Sequence, residues 1–441
     1  MHVKEIPSVS VIQFLLHAGS ILKNPLPFHH KNFEKHGDTF RLNISPKRSV
    51  IFSRDAGFAQ YALQKNQKNY TKSPIQTKDL AKYVGKGLLT AEGEHWAKQR
   101  KLIQPAFHKK QLVNLLTTIS DAIDTELNRI ETGKPIDIFP IYNDLAFQTV
   151  VKSLFSSAVG QDTINRLQYI TEAAQKMLVR ELRQPYKSWW FKWGGSIKKH
   201  IALTQEARQI LKTLVEARRI SGLRENDLLD MLLDARYEDG NAMDEEQLID
   251  EILILFTAGH ETTSNALTFT SQLLACNPEV QNRIYDEVAA AKKETSSLME
   301  FIQACKYTRQ VVEESLRLYP PAYFIDRVNK EEDEYNGMKI GKGSSLLFSI
   351  HEIHKHPDYW GQPLKFIPER FSETNVHSSY YYPFGAGPRM CIGNNFAMYE
   401  MILAVAKLTL RFKIGPKTTP IEILPLITLK PKNAFLEFTA R

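Results

Sequence analysis

Phe384-Gly385-Ala386-Gly387-Pro388-Arg389-Met390-Cys391-Ile392-Gly393 is a cysteine set among glycines, and its reading governs the rest of the chain. Gly385, Gly387 and Gly393 remove Cβ atoms on both sides of Cys391, so a flat ligand can approach the loop closely. The run from about Ile392 onward reads as a helix and puts Cys391 at its N-terminus. Backbone N–H groups there lower a thiol pKa and favour the thiolate, the form that binds metal. Phe384 would shield the sulfur, and Arg389 would offer a cation to an anionic ligand edge. A lone cysteine is more often a small buried hydrophobe, a reading that the glycines, the aromatic ring and the cation together outweigh.

The surrounding chain has 441 residues, 43% hydrophobic and 24% charged, enough apolar material for a sizeable core and too much for a disordered chain. Composition is even and no linker interrupts it, so a single domain over residues 1–441 is expected, with 1–24 an N-terminal helical extension and 25–441 the core. Cys276, Cys305 and Cys391 are the three cysteines, an odd number without a disulfide framework, which fits a reducing, cytoplasmic setting. Residues 9–22 are apolar but carry Ser10, Gln13, His17 and Ser20 and are too short to span a bilayer. They read as a surface helix and not a transmembrane anchor, with peripheral membrane contact the lesser alternative. The net charge of +8 is dispersed, which argues against nucleic acid and leaves long-range attraction of an acidic partner.

Further out, residues 28–35 read as a short helix and 38–52 as two short strands, and 55–275 show mostly helical periodicity punctuated by glycine and proline. Residues 244–276 form one long helix candidate, acidic in its first turn, closed by Asn277-Pro278 and about 50 Å long at about 1.5 Å per residue. Within it an apolar stretch, 252–256, gives way to Thr257-Ala258-Gly259-His260-Glu261-Thr262-Thr263, and polar residues in mid-core call for a reason. After Pro320-Pro321 come strand-like pieces, 340–350 among them, then a Pro-rich irregular stretch over 356–388, the final helix, and an expected strand pair in 427–438. There is no internal repeat.

Phe384, Gly387, Arg389, Cys391 and Gly393 fill every position of the proximal signature of the cytochrome P-450 family, which this chain resembles from about Asn24 onward. The resemblance implies a mainly α fold with small β-sheets (α+β), and haem b held between the long central helix and the cysteine loop with the final helix. It identifies Cys391 as the iron ligand, with Phe384, Arg389 and Gly393 beside the cofactor. Ala258 to Thr262 would be the oxygen-binding stretch, Thr262 hydrogen-bonding dioxygen and Glu261 feeding protons, since an acid beside a hydroxyl can relay them. Thr262 bonding back to its own helix is the plainer reading, and both can hold together. Glu314 and Arg317 share a helix face and would pair with Arg370 of Pro368-Glu369-Arg370-Phe371 as a structural cluster. Trp96 and Arg100, one turn apart, would hold a haem propionate. Arg327 would be another propionate partner or sit in a surface ion pair. His95, His108, His351 and His354 lack metal-ligand spacing and read as structural or solvated.

The activity implied is that of a monooxygenase of soluble bacterial type without a fused reductase, which hydroxylates or oxidatively O-demethylates a small organic substrate with O₂. Electrons would come from a ferredoxin or flavodoxin with its NAD(P)H-dependent reductase, docked on a basic face near Arg389, Lys98, Lys101 or Lys109. The alternatives are a peroxygenase, a rearranging haem enzyme and a haem-based sensor; the first two usually lack the acid–threonine pair, and the third would usually carry an output domain. By the same resemblance the substrate would meet residues 73–89, 178–193, the central helix, 322–325 and 426–429. Arg180, Arg183, Tyr186, Trp189, Trp190, Tyr323 and Asp326 in those parts suit a sugar or an acid head group. The competing view is that Trp189, Trp190 and Trp193 pack beneath a lid or touch a membrane. An apolar substrate such as a fatty acid and a polar one such as a methylated sugar both stay open.

Overall fold

The computed structural model describes residues 5–45, 48–156, 158–373, 377–417 and 419–441. They divide into two compact units, a sheet unit built from the chain through Ser73 with Glu313–Cys391 and Ile423–Lys432, and a helical unit built from Pro74–Val312, Ile392–Glu422 and Asn433–Arg441. The principal helices are α1 (Val11–Lys23), α2 (Gly93–Ile103), α3 (Phe139–Phe155), α4 (Gln161–Arg183), α5 (Ser188–Trp193), α6 (Ser196–Ser221), α7 (Glu245–Cys276), α8 (Lys306–Leu318) and α9 (Asn394–Arg411). Helices with small sheets are the architecture the sequence leads one to expect.

The sheet unit carries a six-stranded sheet in the order Ser8–Val9, Thr39–Ser45, Arg48–Ser53, Ser345–Ser349, Phe324–Asn329, Tyr70–Thr71. Alternation in Thr39–Ser45 buries Phe40 and Leu42, and register places Phe40 opposite Phe52, where the rings stack with centroids 5.3 Å apart. Helix α1 begins with a capping box. Ser10 Oγ accepts from Gln13 N at 3.3 Å, and Gln13 Oε1 accepts from Ser10 N at 3.2 Å. None of its residues is buried, so it is a surface helix.

In the helical unit α7 is the axis. Its 32 residues start at Asp244, whose carboxylate accepts from Gln247 N at 2.8 Å, and end before Asn277 and Pro278. It packs on α3 and α9, and Tyr142 of α3 bonds Ser271 of α7 at 2.7 Å, which satisfies two buried hydroxyls. The expected strand pair in 427–438 does not form. Leu429–Lys432 pairs with Glu422–Pro425, whereas Phe435–Ala440 lies between Phe412–Ile414 and Pro135–Asp137. Both edges of Phe435–Ala440 are taken by strands distant in sequence, so nearness along the chain did not decide the pairing.

Candidate functional site

The cysteine loop belongs to the sheet unit. Gly385 (φ 72°) and Gly387 (φ 70°) sit in the left-handed region that favours glycine. Cys391 N donates to Phe384 O at 2.9 Å and Met390 N to Gly387 O at 3.0 Å, which closes the loop on itself. A Cβ on Gly387 would fall 2.0 Å from Leu63 O, so the loop is seated against the backbone of the Tyr61–Lys65 turn, and only glycine permits that approach. The Cys391 side chain is exposed, while Phe384 and Arg389 are half-buried. One expectation needs correction. Helix α9 starts at Asn394 with Gly393 as its N-cap, about two residues later than the expected start near Ile392, so Cys391 lies ahead of the cap and not next to the first helical residue. The intervening Cys-Ile-Gly turn moves it away from the helix end, and the macrodipole, which falls off within a turn, supports its thiolate less than expected.

These residues fit a haem. Gly393 has φ −91°, and a Cβ there would have only ordinary contact, 3.9 Å, with Phe107. Packing within the protein does not require glycine at 393, whereas a macrocycle lying against the loop would. Arg327, on Phe324–Asn329, is buried, not at the surface, and donates to Asp326 O at 2.7 Å. Trp96 and Arg100 lie one turn apart on α2 and are both half-buried.

Glu314, Arg317 and Arg370 come together. Arg317 Nε donates to Glu314 Oε2 at 2.6 Å and Nη2 to Oε1 at 2.8 Å, with both side chains 0% exposed. Arg370 Nε reaches the same carboxylate at 3.3 Å, and Ile367 N donates to it at 2.8 Å. Arg317 further donates to the carbonyls of His354, Pro363 and Lys365. His354 Nε2 accepts from Tyr382 N at 2.8 Å, and burial holds its pKa well below the usual imidazole range, so it is a neutral structural acceptor. Among the described residues no group of three or more His, Cys, Asp or Glu is arranged to hold a metal ion.

In the helical unit, residues 248–275 of α7 are buried apart from Asp250, Leu255, Thr257, Ala258, Gly259 and Thr262. Leu255, Ala258 and Thr262, spaced i, i+3, i+7, form a narrow open stripe on one face. Thr262 Oγ1 donates to Ala258 O at 2.7 Å, the back-bond weighed from the sequence, and Glu261 beside it is buried. A Cβ on Gly259 would fall 2.8 Å from Val150 of α3, so this glycine lets the two helices close together. His260 packs edge-on to Phe147, with centroids 5.1 Å apart.

Several residues escaped the sequence reading. Asp250 accepts from Lys86 N at 2.6 Å and Glu251 from Leu88 N at 3.0 Å, pinning the 85–88 turn to α7. Gly85 and Gly87 were the signal, because a Cβ at either would run into those two carboxylates. Glu400 is wholly buried in α9, and burial raises its pKa well above the carboxylate range against a smaller opposing effect from Thr149. The aromatic cluster faces outward, with Trp189, Trp190 and Trp193 exposed by 61%, 60% and 89%. Of the lysines expected to receive an electron donor, Lys98 and Lys109 are exposed, and Lys101 pairs with Glu238. Among the described residues no helix is long and apolar enough to cross a membrane.

A family model described as cytochrome P450 matches residues 6–438. The chain is 28% identical over 409 residues to cyclooctat-9-en-7-ol 5-monooxygenase of Streptomyces melanosporofaciens, covering 92% of this chain and 88% of that protein. It is 26% identical to pentalenene oxygenase of Streptomyces avermitilis, covering 96% and 95%, and 31% identical to cytochrome P450 4A14 of Rattus norvegicus, covering 80% and 75%. The crystal structure of the cytochrome P450DA heme domain superposes with a TM-score of 0.87 at 21% identity, covering 100% of this chain and 99% of that one.

Proposed function

Since the chain belongs to the cytochrome P450 family and is a haem-dependent monooxygenase, we propose that it hydroxylates a mainly apolar small molecule, with Cys391 as iron ligand and Glu261 and Thr262 handling protons. When bound, haem b supplies activation of dioxygen: one oxygen atom enters the substrate, and the other leaves as water after two electrons and two protons are taken up. Phe384 and Gly393 would lie beside the macrocycle, and Arg100 with Trp96, and Arg327, would receive its propionates. The observation that carries the reading is the open stripe on α7, which places Thr262 at the edge of a buried acid. Because the Thr262 hydroxyl donates to Ala258 O, its lone pairs are turned to accept from a water molecule, which it orients toward dioxygen; Glu261 replenishes the proton.

The apolar assignment rests on how the polar candidates are already engaged. Arg180 lies over the Phe191 ring at 5.4 Å, Tyr323 donates to Leu426 O at 2.6 Å, and Trp189 and Trp190 point to solvent. Leu255 and Ala258 present apolar surface on the stripe. Pentalenene and cyclooctat-9-en-7-ol, from the relatives' names, are compounds of the proposed class; O-demethylation of a methylated sugar is the lesser reading. We place the enzyme as one catalytic domain in the cytoplasm, reduced by a separate ferredoxin or flavodoxin. The substrate test adds terpenoids, fatty acids and methylated sugars to the ferric holoprotein. A Soret shift with the apolar members and none with sugars is expected, and a shift with sugars alone would overturn the assignment. For the donor, Lys98→Glu with Lys101→Glu should slow reduction by an acidic ferredoxin several-fold at low salt, and an unchanged rate measured by stopped flow would remove that docking face.

A further inference from the structure

The cysteine loop is seated on a piece of chain that something else must hold. In the sheet unit, the short helix Ala56–Gln60 runs on into the turn Tyr61–Lys65, where Asn66 N donates to Tyr61 O at 2.8 Å, one residue wider than an α-turn. Widened helical turns are rare and frequently mark functional sites. This one packs against Gly387–Arg389 of the loop. Leu63 is buried in mid-turn, and the atoms that exclude a Cβ at Gly387 are Leu63 O at 2.0 Å, Leu63 C at 2.9 Å and Gln64 Cα at 3.3 Å. All three are backbone. With no flexible side chain between them, a shift of the turn is passed directly to the loop.

One carboxylate holds both ends of that turn. Asp333, half-buried at the start of the strand Asp333–Tyr335, accepts at Oδ1 from Tyr61 OH at 3.0 Å and Glu334 N at 2.9 Å. At Oδ2 it accepts from Asn66 Nδ2 at 2.9 Å and Tyr70 OH at 2.7 Å, which leaves no lone pair of the carboxylate unused. Asn66 Nδ2 also donates to Tyr61 OH at 3.0 Å, so the first residue of the turn and the residue that closes it are tied to each other and to the same acid. Burial disfavours the charge on Asp333, but the hydrogen bonds from Tyr70, Tyr61, Glu334 N and Asn66 outweigh it and hold its pKa below the usual carboxylate value. Two residues on, Tyr335 stacks on Phe58 with centroids 4.7 Å apart, so the same strand also grips the helix that leads into the turn. We propose that Asp333 is a positioning residue for the iron ligand: it clamps Tyr61 to Asn66, the clamped turn fixes the Leu63 carbonyl, and that carbonyl seats Gly387 so that Cys391 stays on the iron. The proposal rests on the reading of Cys391 as ligand.

The test follows the ferrous carbon monoxide complex of the holoprotein over time, because its absorption band differs between haem that carries a cysteine sulfur and haem that has lost it. Wild-type protein should keep the sulfur-ligated band. Asp333→Ala and Asn66→Ala should lose it roughly tenfold faster, the size of effect that removing a residue behind a metal ligand commonly has. Tyr142→Phe, which gives up the buried bond to Ser271 within the helical unit, is the control for a general loss of stability and should keep the wild-type lifetime. If Asp333→Ala does not load haem, Asn66→Ala, which retains the carboxylate and both tyrosines, must still shorten the lifetime. A wild-type protein without the sulfur-ligated band overturns the reading of Cys391 and this proposal with it. A wild-type protein that has the band, with Asp333 and Asn66 variants that keep it as long or lose it no faster than Tyr142→Phe does, overturns this proposal alone and leaves Asp333 a fold residue.

Discussion

The cluster around Arg317 and the open stretch of α7 are both polar groups set into an apolar interior, and they are built on opposite plans. All five guanidinium hydrogens of Arg317 find acceptors, two on Glu314 and three on backbone carbonyls, and neither side chain has any exposed surface. On α7, Thr262 directs its single donor to Ala258 O and retains acceptor capacity on the side that is open. A cluster whose hydrogen-bonding capacity is used up can only hold the chain in place. One that keeps capacity beside an opening can exchange protons with something that enters.

The sharpest way to break this contrast is Arg317→Ala, which leaves the buried Glu314 carboxylate with only Ile367 N and the longer Arg370 contact. A loss of about 3–5 kcal/mol is expected, read as a collapse of the urea midpoint and of haem loading. If folding survived intact, the cluster would not be structural. Thr262→Ala should do the reverse, leaving the urea midpoint within about 1 kcal/mol while product formed per NAD(P)H consumed falls roughly tenfold to a hundredfold. A stability loss equal to the activity loss would make Thr262 a helix residue and nothing more. Arg370→Ala removes a longer, rim contact and should cost about 1.5–2 kcal/mol, clearly less than Arg317→Ala. Glu400 supplies the smallest effect and a third case, a buried carboxyl whose proton the folded state holds more tightly than the unfolded chain does. Its contribution to stability therefore falls as pH rises from the ordinary carboxylate value toward the raised one, and Glu400→Gln should flatten that slope in urea midpoints taken at pH 5 and pH 7.

Much of the site was legible because its signals are short-range. The spacing of Phe384, Gly387, Arg389, Cys391 and Gly393, the three-residue step from Glu314 to Arg317, and the unbroken run of α7 each lie within a single element or loop. What stayed hidden depends on partners far along the chain. Ser345–Ser349 inserts between Arg48–Ser53 and Phe324–Asn329, and Phe435–Ala440 leaves its neighbour for two distant strands. Asp250 and Glu251 read as ordinary helix acids until the 85–88 turn arrives against them. Sequence gives the aromatic content of α5 but not which way it faces, because Phe191 and the tryptophans are alike in hydropathy and differ only in what α4 covers. The start of α9 was misplaced because Cys-Ile-Gly makes a turn where apolar periodicity suggested helix.

The seat of Gly387 on the Leu63 carbonyl bears on how the protein is made. The ribosome delivers Leu63 long before Gly387, so the cysteine loop cannot take its seat until the chain between them has emerged. Prematurely released chains keep the Leu63 seat but lack the Cys391 ligand, and so cannot retain haem. Cofactor capture thus waits on synthesis past Cys391, and shorter chains do not draw on the cell's haem supply.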